Sequence, residues 1–261
     1  MNNIIDNNYS IQVKNLNKSY GDLKAVAKKN MKIYYTESPI LIFGILFPFF
    51  LFLAFALGKN IPVKELVPGL LGITFFFTGS SVGPFITPWE TRTKTLERLL
   101  TTPGSIAILI LGDILSAFFF SLAISILVIL VGTLVLGGTI TNLISLIFTV
   151  ILGSLCFAGL GSIFSALPTD KPANVMMLSN LVRLPVIFIS GVFVPVSNLP
   201  GWGQIISRLS PVTYITDLMR FGFGQSHFFT VKIDYILLTI ITFLFILMSV
   251  YFHKRTMVKR I

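Results

Sequence analysis

The chain has 261 residues, of which 54% are hydrophobic and only 11% are charged, with a mean hydropathy of +0.87. So few charged side chains cannot cover the surface of a water-soluble domain, so the composition excludes an ordinary soluble fold and indicates a membrane protein with several spans. The formal net charge of +10 does not indicate a nucleic-acid partner, because the lysines and arginines are spread between the apolar runs rather than gathered in one stripe.

The chain opens on a polar segment that differs from everything after it. Residues 1–27 are rich in asparagine and lysine, and we predict a polar N-terminal tail there, followed by one membrane domain over residues 28–261. Within the tail, Ile11, Gln12 and Val13 alternate as a half-buried strand does.

Six apolar runs follow, each close to the roughly 20 residues that a helix needs to cross a bilayer. The predicted fold is therefore an all-α polytopic membrane protein with six transmembrane helices. Pro48 falls inside the first run and predicts a kink there. The runs cover residues 40–57, 68–86, 112–136, 143–167, 175–196 and 235–252.

An even number of crossings places both termini on the same side of the membrane. That side carries most of the basic residues outside the spans, so the positive-inside rule predicts that both termini are cytoplasmic, in a cell (plasma) membrane. The basic residues on this side are Lys14, Lys18, Lys24, Lys28, Lys29, Lys32, Arg92, Lys94, Arg98, Lys171, Lys254, Arg255, Lys259 and Arg260, against Lys59, Lys64, Arg208, Arg220 and Lys232 on the other.

Small residues recur at helical spacing in two of the runs. The second run contains Gly79 and Gly83, and such spacing lets helix backbones approach closely in lipid. We predict a helix-packing ridge on the fourth run, although membrane helices are rich in small residues in general. The ridge consists of Ser154, Ala158, Ser162 and Ala166.

The loop between the second and third runs reads TPWETRTKTLERLLTTPGS and predicts a short amphipathic helix over residues 87–102. Thr87 is a suitable N-cap, Pro88 suits the first helical position, and Glu90 completes a capping box. The helix can lie in the lipid interface or dock on a protein, and its mixed charge favours a protein. Its apolar positions are Trp89, Thr93, Leu96 and Leu100, and its charged positions are Glu90, Lys94, Glu97 and Arg98.

Past the fifth run, the sequence predicts two short helices at the outer interface. Pro200 opens the first and Pro211 opens the second, whereas Gly191 and Pro195 are expected to break the fifth span and make its end re-entrant. Trp202 and Tyr214 suit the headgroup region. Asp217 and Arg220 are spaced as an ion pair along a helix. The segment either shapes a translocation path or forms a lipid-anchored cap.

Arg183 is the one basic residue inside a run, roughly 12 Å from its start at about 1.5 Å per residue. A charge at that depth is costly, so we expect it to face the bundle interior, a watery cavity or a dimer seam, or to snorkel to the headgroups. Asp113, at the start of the third run, is the acidic residue that could pair with Arg183.

Two stretches together resemble the permeases of type-2 ABC exporters. TLERLLTTP resembles their cytosolic loop, and LPVIFISGVFVPVSNLPGWGQIISRLSPVTYITDLMR resembles their fifth span and outer region. The resemblance implies contact with a separate ATPase through Glu90, Lys94, Leu96, Glu97, Arg98, Leu99 and Leu100. It implies candidates for the pathway or outer gate at Gly191, Pro195, Pro200, Trp202, Pro211 and Tyr214, and the depth of Arg183 in the fifth run adds that residue to these candidates.

The same resemblance implies a transport subunit rather than an enzyme. The chain contains no GxxxxGK[ST] motif, so ATP and Mg²⁺ would be bound by the partner ATPase, and no cofactor is expected in this chain. The expected partners are that ATPase, a second copy of the chain and membrane lipid, with no nucleic acid. The alternatives are an ATP-independent channel or secondary carrier built on Arg183, and a membrane anchor for another complex.

The cargo is not readable from the residues. The family exports drugs, lipids and glycolipids, and polysaccharides, and the largely apolar spans favour an amphiphilic or lipid-linked molecule.

The first residues also gain an interpretation from the resemblance. IQVKNLNKSYGDLKAV is similar to the first strand and aromatic loop of an ABC ATPase, with Tyr20 as the adenine-stacking residue, but no P-loop follows. AKKNMKIYYTESP resembles the elbow helix that precedes the first span of these permeases. We therefore expect function to begin near Lys28 and the deletion of residues 2–26 to leave transport unchanged.

Overall fold

The computed structural model describes residues 21–56, 66–101 and 105–257. Within these ranges every regular element is a helix and there is no strand. Residues 1–20 of the predicted tail lie outside them. The elements in chain order are α1 Gly21–Tyr34, α2 Ser38–Leu41, a π-helical turn Ile42–Leu46, α3 Phe47–Ala56, α4 Val67–Arg92, α5 Thr95–Leu100, α6 Ile106–Leu134, α7 Leu143–Ser165, α8 Pro172–Ile189, a 3-10 turn Val196–Asn198, α9 Gly201–Ser207, α10 Pro211–Gly222 and α11 Val231–Thr256.

The prediction of an all-α polytopic membrane protein is confirmed. Within the described residues, five helices are long and apolar enough to cross a membrane, namely α4, α6, α7, α8 and α11, and the number is six if one bent pair is counted as a single span. The pair joins α1 to the helix that starts at Ser38, at an angle of 89°.

The kink predicted at Pro48 takes the form of a π-helical turn just before the proline. Pro48 has no N–H, so the carbonyl of Gly44 lacks its usual helical donor. The chain widens there, and Phe47 N–H bonds to Ile42 O across five residues rather than four.

Helix α4 is the central element of the bundle. Residues 67–88 are all buried, and α6, α7, α8 and α10 pack around them. Its hydroxyl groups donate hydrogen bonds to backbone carbonyls one turn earlier. Thr74 donates to Leu70 O (2.8 Å) and Thr78 donates to Thr74 O (2.6 Å). A relatively polar helix can therefore lie in the middle of the protein.

The tightest contact is the crossing of α4 and α7. A Cβ added to Gly83 would lie 2.7 Å from the backbone carbon of Gly161, and one added to Gly161 would lie 2.7 Å from Ser80 Cα. On α7, the four ridge residues are buried, and the hydroxyls of Ser162 and Ser249 lie 2.6 Å apart. Helix α7 thus lies between α4 and α11.

The loop helix is shorter than expected, and the predicted start at Thr87 is wrong. Helix α4 continues to Arg92, so Thr87, Pro88 and Glu90 belong to it. The chain turns at Lys94, which has a left-handed φ of 57°, and α5 begins at Thr95. The capping-box residues are helical, but they continue α4 instead of starting a new helix, because α4 does not end until Thr93.

The outer segment follows the prediction in part. Helix α8 ends at Ile189, short of residue 196, because Gly191 adopts a positive φ of 76° and breaks the helix as expected. Helices α9 and α10 begin after Pro200 and Ser210 as expected. However, α10 is buried against α4, α7 and α11, so Tyr214 does not face the headgroups.

Helix α1 includes seven residues that the sequence assigns to the tail. Its Val26 side chain reaches Gly112 of α6, where an added Cβ would lie 2.7 Å from Val26 Cβ. Deleting residues 2–26 would remove this packing, so the neutral deletion expected from the sequence shortens to residues 2–20.

The crossing of α4 and α7 predicts that Gly83→Ala destabilises the protein. The new methyl has no room against Gly161, and overpacking of this kind costs about 1–3 kcal/mol. Denaturant-induced unfolding in detergent measures the loss, with Gly201→Ala as the control because an added Cβ there meets nothing within 4 Å. Equal stabilities of the two variants would show that the helices do not pack this closely.

Candidate functional site

Helix α5 is anchored by one side and free on the other. Leu96 is buried, and it packs with Leu109 of α6 and Met257 at the end of α11. Glu97 and Arg98 are exposed. The half-buried Leu99 and Leu100 join the anchoring side, and Lys94 adds an exposed charge beside the helix. We call this end of the bundle the α5 end, and the opposite end the α10 end.

A half-buried ion pair lies next to α5 and joins α1 to the last turn of α4. Lys29 Nζ bonds to Glu90 Oε1, and the hydroxyl of Tyr34 donates to the same oxygen at 3.2 Å. Glu90 is therefore part of an internal contact rather than of the exposed face of α5. Because Glu90 is fully buried, the loss of Lys29 would leave its carboxylate without a compensating charge, so this contact fixes α1 against α4.

A second set of polar contacts joins α1 to α6. Asn30 Nδ2 donates to Asp113 Oδ1 at 2.6 Å and lies 3.4 Å from Ser116 Oγ. The hydroxyl of Tyr35 donates to the backbone oxygen of Ser116. Asp113 thus accepts a hydrogen bond from α1. The sequence left a contact between Asp113 and Arg183 open, and the structure shows Asn30 as the partner of Asp113 instead.

These contacts form a continuous connection at the α5 end. Helix α5 follows α4 after two residues, α4 is fixed to α1 through Glu90, and α1 is fixed to α6 through Asn30. Sequence reasoning missed Lys29, Asn30 and Tyr34. Their only signal is their position in the resemblance to an elbow helix, since the partners lie far away in the chain.

Arg183 lies in the interior of the bundle and does not snorkel. Its guanidinium is fully buried, donates to Ser80 O, and lies 3.2 Å from Asn180 Oδ1 and 3.4 Å from Ser81 Oγ. Phe77 and Phe164 cover its two sides, with ring centroids at 5.8 and 5.7 Å.

The sequence of α4 explains why an arginine is needed at Ser80. The carbonyl of Ser80 should accept from the N–H of residue 84, but Pro84 has none. Arg183 supplies the missing donor from the neighbouring helix. The carbonyl that lacks its donor in α4 therefore receives a hydrogen bond from a buried arginine of α8.

At the α10 end, α10 is tied to the loops around it. The carboxylate of Asp217 accepts from the backbone N–H of Phe228 (2.8 and 2.9 Å) and of Phe229 (2.7 Å). Arg220 donates to Gly191 O at 2.7 Å. The ion pair predicted between Asp217 and Arg220 is thus replaced by two separate contacts to backbone. Burial lowers the pKa of Arg220, with Asp217 acting in the opposite direction.

The remaining outer residues divide into exposed and buried groups. Trp202 is 64% exposed on α9, as expected of a residue at the headgroups. Tyr214 donates instead to Arg208 O, and burial raises the pKa of its phenol. Pro195 precedes the 3-10 turn, Pro200 is the N-cap of α9 and Pro211 begins α10.

The role of Arg183 predicts a coupling with Pro84. Arg183→Met should destabilise the protein by about 1–3 kcal/mol, because the buried carbonyl of Ser80 then has no donor. In a Pro84→Ala background the helix regains its own N–H at residue 84, so the same substitution should cost less. Unfolding of the four proteins of this cycle in detergent gives the difference.

A contrary result is equally clear. If Arg183→Met costs the same with proline and with alanine at residue 84, the arginine does not act through the Ser80 carbonyl. Arg183→Lys serves as the matched variant, since it keeps the charge but loses the second nitrogen of the guanidinium fork.

Comparison with known proteins identifies the family of this chain. The profile of the ABC-2 type transporter family matches residues 21–223, which run from the first residue of α1 to the residue after α10. The chain is 28% identical over 191 residues to "Putative transport permease ycf38" of Cyanophora paradoxa, covering 72% of this chain and 64% of the relative. The match thus spans less than two thirds of that relative's length. On the family match, the chain belongs to the ABC-2 type transporter family.

Proposed function

We propose that this chain is the permease subunit of an ATP-driven exporter, that it couples to a separate ATPase through α5, and that two copies form the pathway. In this proposal the α5 end faces the cytoplasm of the cell, and ATP and Mg²⁺ are bound by the partner. The family match supports a transporter membrane subunit, and the geometry of α5 supports the place of coupling.

The observation that carries the proposal is the orientation of α5. An amphipathic helix that lies in the lipid interface turns its apolar side toward the acyl chains. Here the apolar side, with Leu96 at its centre, packs against α6 and α11. Glu97 and Arg98 point outward, which suits a polar protein surface better than lipid.

The connection at the α5 end supplies a route for movement. A partner that displaces α5 acts directly on the end of α4, because only two residues separate the helices. The Lys29–Glu90 pair then transmits the displacement to α1. In this proposal the displacement therefore begins at α5 and reaches α4 and α1 first.

A second copy would find apolar surface on α3 and α8. Phe50 is 59% exposed on α3, and Met177 and Leu181 are exposed on α8 while Arg183 of the same helix points inward. The alternative of a carrier built on Arg183 is not supported, because its guanidinium is enclosed and occupied by the Ser80 carbonyl.

Charge reversal on α5 tests the proposal. The chain is co-expressed with the ABC ATPases of its source genome, one at a time, and co-purification is measured. We expect Glu97→Lys to weaken the association about tenfold while insertion and thermal stability are retained, because the side chain is exposed. Leu100 is less suitable for this purpose, since its half-buried side chain also anchors the helix.

Asp170→Lys is the matched control. It makes the same charge change on the exposed connection between α7 and α8. The proposal predicts normal association for this variant. Unchanged association of Glu97→Lys, or equal losses in both variants, would remove α5 as the coupling element.

A further inference from the structure

A cavity of about 490 Å³ opens at the α10 end. Its walls come from the start of α4, the segment after α8, and the end of α10 with the loop that follows. This volume lies in the range of small-molecule sites. The walls combine apolar side chains such as Val192 and Phe223 with the polar side chains of Arg220, Gln225 and Ser226.

Arg220 brings a positive charge to this cavity, and among the described residues no carboxylate forms a direct ion pair with it, although Asp217 lies close enough to act on its pKa. One of its N–H groups donates to Gly191 O, and a guanidinium carries four further N–H donors. Asp217 does not neutralise it by direct contact, because its carboxylate is occupied by the N–H groups of Phe228 and Phe229. In the ranges that the structure covers, the recorded ion pair is Lys29–Glu90, at the other end.

The position of Arg220 makes an external anion favourable. The side chain is only partly exposed, and a half-buried charge has lost part of its hydration. An arginine stays protonated in proteins, so the charge cannot be relieved by titration. Its planar fork matches the oxygens of phosphate, and such charge-assisted hydrogen bonds are strong.

We propose that this cavity binds the phosphate of an ester such as a lipid headgroup, with Arg220 as the charged donor and Gln225 and Ser226 as polar neighbours. The apolar wall formed by Val192 and Phe223 suits the carbon atoms joined to the phosphate. The proposal goes beyond the proposed function, since it concerns a single chain and requires no ATPase.

Binding to the purified full-length chain tests this site. The probes are dihexanoyl phosphatidylglycerol, dihexanoyl phosphatidylcholine and inorganic phosphate, titrated against protein in phosphatidylcholine nanodiscs. We expect phosphatidylglycerol to bind more tightly than phosphatidylcholine, whose cationic group opposes Arg220. Arg220→Gln should weaken phosphatidylglycerol binding about tenfold or more, and Arg220→Lys should weaken it less.

Arg208→Gln is the matched control. It removes one positive charge at the same end, from an exposed residue that does not line the cavity, and should bind as the unchanged chain does. Ser226→Trp narrows the cavity from an exposed position and leaves Arg220 in place, so it should also lose binding. This variant decides the question if Arg220→Gln does not fold.

Competition assigns the source of the phosphate. Inorganic phosphate that displaces the lipid at similar affinity identifies a free-anion site, and failure to displace it identifies an ester site. Equal binding of both lipids, or unchanged binding in Ser226→Trp and Arg220→Gln, overturns the proposal.

Glu65 precedes the lining residue Leu66 and lies outside the described residues. Binding seen only in Glu65→Gln would also overturn it, because a carboxylate of the chain would then be the occupant.

Discussion

The close crossing of α4 and α7 is the contact on which the rest of the structure depends. In lipid, helices gain nothing from removing apolar surface from water, so association relies on dispersion and hydrogen bonds at short range. Gly83 and Gly161 permit that range because neither has a side chain at the point of contact. With α4 held in the centre, one of its ends leads into α5 and the other lines the cavity beside Arg220.

Three polar side chains of this bundle hold specific helix junctions together. The Arg183 guanidinium replaces the donor that Pro84 lacks, and Lys29 and Asn30 attach α1 to α4 and α6. A membrane interior makes unsatisfied polar groups expensive, so such contacts select one arrangement of helices over others. The buried Arg183 and Asn30 and the half-buried Lys29 therefore help to specify the fold, and in the proposed transporter they also connect the moving parts.

Local sequence patterns predicted much of this fold, but they could not predict contacts between residues that are far apart in the chain. The apolar runs gave the spans, and Pro200 and Pro211 correctly opened α9 and α10, because length and capping are properties of short segments. The capping box at Thr87 misled, since the same residues can continue a helix. The Lys29–Glu90 and Asn30–Asp113 contacts join residues 61 and 83 positions apart, which no periodicity reveals. The burial of Tyr214 likewise depends on which helices cover α10.

The central claim is that α5 receives a separate ATPase at one end of the bundle. Photo-crosslinking measures this directly, with a benzophenone amino acid placed at Glu97 on α5 or at Ile205, which is 67% exposed on α9 at the opposite end. Mass spectrometry then identifies what each position captures in cells. The account predicts an ABC ATPase captured from position 97 and none from position 205. Capture of the ATPase from position 205, or from neither position, would contradict it.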